Sequence, residues 1–152
     1  MNKLLIKNIV LFFTGFCIYI TIETIFRGYS FPFSGIMGGL SVILIDKVND
    51  YISWDVDLLW QALYGTCLIT SMEFVVGLVA KYTPLLPVMW DYSSIPFNIY
   101  GVICLPFSIA WFFLSIVAIF LADAINYYIF DDTVVPYYNV FGNLNAVVFH
   151  KK

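Results

Sequence analysis

The uncharged stretches of this chain recur at a length that suits a bilayer. No charge falls between Lys7 and Glu23, and apolar character extends back to Leu4 and forward to Phe26. A helix rising 1.5 Å per residue crosses the hydrocarbon core with about 20 such residues, so the pattern predicts a first span over 4–26. The second run, Gly28 to Ile45, is interrupted by Pro32 and carries Gly35, Gly38 and Gly39. Proline is tolerated in a first helical turn, which predicts a short helix over 32–46. A third span is expected over 58–80, with Glu73 inside it and Lys81, Pro84 and Pro87 closing it. From Tyr92 to Ala122 there is no charge at all, more than one span needs. Part of that run must be a loop or re-entrant segment near 88–100, with a fourth span over 101–122 and a loop over 81–100. After Asp123 the pattern reads as a helix extension and then a polar tail over 131–152. The fold class expected is all-α, an integral membrane bundle of about four transmembrane helices occupying 1–130.

Composition points the same way. Hydrophobic residues make up 62 % and charged residues 11 % of the 152 positions, against roughly 25 % charged in soluble domains. Seventeen charges cannot cover a water-soluble protein of this size, so the excess apolar side chains face lipid. The seven basic residues are scattered, which excludes a phosphate-neutralising patch and leaves nucleic acid out as a partner. Cys17, Cys67 and Cys104 each fall within an apolar run and have no C-x-x-C spacing, so they read as small core residues. With four spans, Lys3, Lys7, Lys47, Lys151 and Lys152 share one side and Arg27 and Lys81 the other, which predicts cytoplasmic termini.

Four features could carry chemistry. Glu23 and Arg27 are four apart with the acid first, the favourable order for an ion pair on one helix face. Glu73 lies within a span, where an unpaired acid costs roughly 2.5–3.5 kcal/mol near the centre. Its compensation is expected from Arg27, from Tyr92 or Asn98 of the loop, or from Tyr19, Ser41 or Ser108 on neighbouring helices. Gly35-x-x-x-Gly39 clears one helix face for close packing. The segment Trp90-Asp91-Tyr92-Ser93-Ser94-Ile95-Pro96-Phe97-Asn98 is dense in polar and aromatic groups for a loop, where binding residues concentrate. Asp91 or Ser93 is expected to cap a short helix there. The candidate polar cluster is therefore Glu23, Arg27, Glu73, Trp90, Asp91, Tyr92, Ser93 and Asn98. No phosphate-binding loop, nucleophile elbow or H-E-x-x-H occurs, and the one histidine is His150. An enzyme, a metal site and a cofactor are not expected.

These residues also carry a resemblance. Ile22-Glu23-Thr24-Ile25-Phe26-Arg27-Gly28-Tyr29-Ser30, then Gly38-Gly39-Leu40, Glu73-Phe74 with Gly77, and Trp90-Asp91-Tyr92-Ser93 with Pro96-Phe97-Asn98, Gly101 and Ile103-Cys104-Leu105-Pro106-Phe107-Ser108 resemble the CmpB-like ABC-transporter permease family of small bacterial membrane proteins. The match runs from about Thr21 to Asp123. Phe31 stands where the family pattern suggests histidine, and Val102 where it suggests glutamine. The resemblance implies a multi-pass protein of the bacterial cell membrane with a transport role. Four spans are few for a permease and no ATPase is present, so it also implies a homo-oligomer, another membrane subunit or an ATPase partner. The acidic connector from Asp46 to Asp57 is the surface expected to receive such a partner. The competing expectation is a structural protein that binds lipid or an envelope partner through Trp90 to Asn98.

Overall fold

The structure, a computed structural model, describes residues 2–132 and 134–145. Five helices, α1 (Lys3–Arg27), α2 (Pro32–Asp46), α3 (Val48–Tyr51), α4 (Leu58–Tyr82) and α5 (Leu105–Ile129), are joined by loops carrying two small antiparallel hairpins. Of these, α1, α4 and α5 are 25 residues each and are long and apolar enough to cross a membrane. The expected count of four spans is not met on length, because α2 has 15 residues, about 22 Å at the helical rise, short of a hydrocarbon core of about 30 Å.

Local chemistry sets the helix ends. Asn2 and Asp57 cap α1 and α4 by accepting the backbone N–H groups of Leu4 and Leu59, which satisfies donors that a helix start leaves unpaired. Gly28 ends α1 in the left-handed conformation at φ 80°, its N–H bonded to the Thr24 carbonyl, a geometry that costs residues with a Cβ about 1–2 kcal/mol. The last span begins later than expected, at Leu105. Residues Asn98–Ile99 (β1) and Ile103–Cys104 (β2) form a hairpin instead, turning through Tyr100 and Gly101 at positive φ, and Pro106 then opens the helix.

The tightest packing joins α1 and α2, which run antiparallel. A Cβ on Gly15 would lie 2.4 Å from the Gly38 carbonyl oxygen, and one on Gly38 2.4 Å from Tyr19 Cβ. Such contacts exist only because both helices present glycine there. At the end of the bundle near Lys7, that residue pairs with Asp46 at 2.9 Å, and Asn126 Nδ2 donates to the same carboxylate at 2.6 Å. One group from each of α1, α2 and α5 is thereby joined.

The segment after α5 is no free tail over its described part. Tyr138–Val140 (β3) and Asn143–Asn145 (β4) form the second hairpin, and Tyr138 is fully buried among Ile45, Leu58, Ala62 and Ile119, its hydroxyl donating to Asp123. Tyr137 donates to Asp55 at 2.8 Å, and Asn139 donates to the Asp55 carbonyl oxygen at 2.8 Å. The connector expected to receive a partner thus carries the chain's own hairpin. His150, Lys151 and Lys152 lie outside the described residues.

Candidate functional site

The site forms at the opposite end of the bundle, where the segment from Val88 to Cys104 folds in over the helices. Its shape comes from local bonds. Asp91 Oδ1 accepts the Ser93 N–H at 2.9 Å, an Asx turn in place of the expected helix cap. That bond is the main cause holding the exposed Asp91 carboxyl below its usual range. Asn98 braces the loop from within, donating to the Ile95 carbonyl at 2.7 Å and accepting the Gly101 N–H at 2.9 Å. Trp90 Nε1 donates to the Val102 carbonyl at 2.9 Å. A Cβ on Gly77 would lie 2.2 Å from a Val102 side-chain carbon, so the loop seats against a notch that glycine leaves in α4.

This seating carries Tyr92 down to Glu73. Glu73 is 2 % exposed and stands nine residues before the end of α4, about 13 Å below it. Tyr92 donates to Glu73 Oε1 at 3.0 Å and Trp111 Nε1 donates to Oε2 at 3.1 Å. Both carboxyl oxygens therefore have a donor, as burial at this depth requires. Each donor is held by a stacked ring, Tyr92 on Phe107 at 4.7 Å and Trp111 on Tyr19 at 5.5 Å between centroids. Burial and the Glu73 charge push the Tyr92 hydroxyl above its usual range, so it remains a donor at neutral pH. Beside the carboxyl lies a cavity of about 10 Å³, lined in part by Tyr19, Ser41 and Trp111, close to the space one water needs.

Arg27 is not the partner of Glu73. Its Nη2 lies 2.8 Å from Glu23 Oε2, Nη1 donates to the Met89 carbonyl at 2.7 Å and Nε to the Tyr29 carbonyl at 3.2 Å. Ser30 donates to Glu23 as well. This group ties the α1–α2 turn to the folded-in loop, while no ion pair reaches Glu73 among the described residues. Ser41 and Ser108, expected as alternatives, donate elsewhere, Ser41 to the Met37 carbonyl of its own helix and Ser108 to the Cys104 carbonyl just before α5. Asn98 serves the loop.

Of the eight residues in the expected cluster, Glu73 and Tyr92 bond directly. Glu23 and Arg27 form a separate pair beside them, and Trp90, Asp91, Ser93 and Asn98 shape the loop. Sequence reasoning passed over Trp111 because it stands in an unbroken apolar run. The available signal was its indole N–H, which needs an acceptor wherever the ring is buried. It also passed over the Lys7, Asp46 and Asn126 group, whose members are far apart in sequence.

A family described as “Putative ABC-transporter type IV”, ABC_trans_CmpB, matches residues 9–150. The chain belongs to this family. The match takes in every residue of the Glu73 and Arg27 groups, so the site is built wholly from family territory. No solved structure matches the chain. This CmpB-type chain is thus an ABC-transporter-related membrane protein with at least three helices able to span.

Proposed function

We propose that the chain is a permease-like transport subunit of the bacterial cell membrane that works as an oligomer or with another membrane subunit, such as an ATPase-linked one, and that Glu73 is its cation or proton site. The observation that carries this reading is a buried acid closed over by a loop. Tyr92 caps Glu73 from the loop side, and among the described residues no cation offsets its charge. A proton or small cation must then supply the balance. Loop movement that withdraws Tyr92 would open Glu73 toward the open cleft lined by Tyr29, Phe31, Tyr92 and Phe107. The cavity beside Glu73 is too small to be a conduit, which supports an oligomer or partner as the source of the remaining wall. In this reading α2 crosses alongside α1 as the fourth span, and both termini are cytoplasmic.

In sealed vesicles we expect a cysteine at Ser94 to be labelled from outside and one at Asn49 to stay unlabelled; the reverse would overturn the orientation. For function, the intact chain is extracted in mild detergent and reconstituted with whatever co-purifies. The expected result is a complex larger than one chain that carries cation or proton flux, lost in Glu73→Gln with only a small change in thermal stability. A monomer with no partner, or flux unchanged by Glu73→Gln, overturns the proposal.

A further inference from the structure

The turn of the β1–β2 hairpin shows apolar side chains to the outside. Phe97, Ile99 and Tyr100 are 78, 52 and 66 % exposed, although Phe97 and Tyr100 hold positive φ of 57° and 54°. Tight turns with positive φ favour glycine, asparagine or aspartate. The backbone therefore has no need of aromatic rings at these positions, and burial within the chain does not offset their strain.

The place of the turn indicates what the rings meet. It lies along one face of α4, with the Tyr100 carbonyl on Lys81, Val102 in the notch at Gly77 and the Tyr100 ring 6.4 Å from that of Phe74. Phe74 stands eight residues before Tyr82, the last of α4, about 12 Å down the helix. That helix is long and apolar enough to cross a membrane, and Val75, next to Phe74, is exposed. The apolar face of the turn is thus continuous with the surface of a membrane-spanning helix.

The backbone of the turn is prepared for a place short of water. The carbonyls of Tyr100, Gly101 and Val102 accept from Lys81 Nζ at 2.6 Å, the Tyr92 N–H at 2.8 Å and Trp90 Nε1 at 2.9 Å. The N–H groups of Gly101 and Val102 donate to Asn98 Oδ1 at 2.9 Å and the Ile99 carbonyl at 3.0 Å. In water, solvent could serve all of these groups; at membrane depth the chain itself must. Lysine, tryptophan and asparagine side chains are committed to that task, so the polar side of the turn faces protein and its apolar side faces out.

We infer that this turn is immersed in the leaflet at its end of the bundle, with Phe97, Ile99 and Tyr100 seated among lipid where headgroups meet acyl chains. Trp90, Tyr92 and Asn98, expected at the headgroups, instead turn inward onto Val102, Glu73 and Ile95. The inference stands apart from the transport reading. Its bearing on Glu73 runs through the bond from the Tyr92 N–H to Gly101, which ties the immersed turn to the loop that caps the acid.

The test uses the full chain in phosphatidylcholine vesicles, with a nitroxide on Phe97→Cys or Ile99→Cys in a Cys17→Ser, Cys67→Ser background; Cys104 is buried. Paramagnetic resonance compares collisions with oxygen, which concentrates in lipid, and with a water-soluble nickel complex. The oxygen-to-nickel ratio at both positions should approach that of Phe113→Cys, an exposed position on the spanning α5. It should exceed the ratio at Ser94→Cys on the order of tenfold, since a polar complex is excluded from hydrocarbon. A ratio equal to that at Ser94 places the turn in water and overturns the inference. Few collisions with either agent would mean that a partner or a second copy covers the turn, which overturns it as well. The unsubstituted chain gives an independent reading: phosphatidylcholine with a diazirine on its acyl chain should attach to the peptide holding Phe97 to Tyr100. Attachment to the spanning helices alone overturns the inference.

Discussion

Replacing Glu73 with leucine should destabilise the detergent-solubilised chain by about 2–6 kcal/mol, because the buried Tyr92 hydroxyl and the part-buried Trp111 indole N–H both lose their acceptor, at about 1–3 kcal/mol each. Glu73→Gln should behave quite differently. Its amide oxygen can accept from Trp111, and its amide nitrogen can donate to the Tyr92 hydroxyl, which also accepts. Each partner keeps one hydrogen bond and only the Tyr92 O–H proton loses its acceptor, so stability should fall by about 1 kcal/mol, well short of the leucine variant. Thermal melts of the two variants beside the parent read this directly, and equal stability of Glu73→Leu and parent would show that the two bonds do not fix the loop. Adding Arg27→Gln to Glu73→Gln should not recover stability, since Arg27 is paired with Glu23; the two effects should simply add. The same Glu73→Gln protein separates structure from function, because it keeps a hydrogen bond to each partner and loses the titratable group.

Gly39→Leu should open the α1–α2 hairpin at a cost of about 3 kcal/mol or more. A Cβ alone at this position would lie 2.6 Å from a Phe12 ring carbon and 2.7 Å from the Phe12 carbonyl oxygen. A ring can turn aside, but a helix backbone cannot, so even Gly39→Ala should be measurably destabilising. Gly28→Ala offers the contrast. A Cβ there meets no atom within 4 Å, and the expected loss of about 1–2 kcal/mol comes from its left-handed backbone. Denaturation in a graded detergent series would separate the cases: the Gly39 variants should loosen α2, whereas Gly28→Ala should act only on the turn. If Gly39→Leu inserts and melts like the parent, that glycine face contacts lipid and the packing account fails.

Gly35, Gly38 and Gly39 were readable as a packing face because a run of missing side chains leaves few other uses within a membrane helix. Their contact with α1 follows from a short connection, since the turn after Gly28 returns the chain directly along the helix it has just left. Glu73 was readable because an acid among apolar residues is costly wherever the helix sits. Its partners were not. Periodicity places residues on helix faces, but it carries no information on which face of α5 turns toward α4, and so Trp111 looked like any other aromatic in an apolar run. Arg27 was the natural candidate by charge and height, yet Glu23 lies one helical turn away on the same face and captures it at little ordering cost.

The extent of the last span shows the same division. The uncharged run from Tyr92 to Ala122 required a loop somewhere, but its pattern put the start of the span at Gly101 and not at Leu105. That the loop would fold inward, seat Val102 in the notch at Gly77 and deliver Tyr92 to Glu73 depends on contacts 19–38 residues apart. The hairpin after α5 is similar, its aromatic and asparagine residues reading as an ordinary polar tail until Asp55, Asp57 and Asp123 are brought beside them.

The sequence by itself determined the solvent, the helical class and the positions where charge would be costly, because these follow from transfer free energies and local backbone chemistry that each segment carries alone. Tertiary structure alone decided which donors meet Glu73, which acid holds Arg27 and what covers the acidic connector. Hydrogen bonds act over about 3 Å, so their partners are settled only when the packing of helix against helix has set the distances.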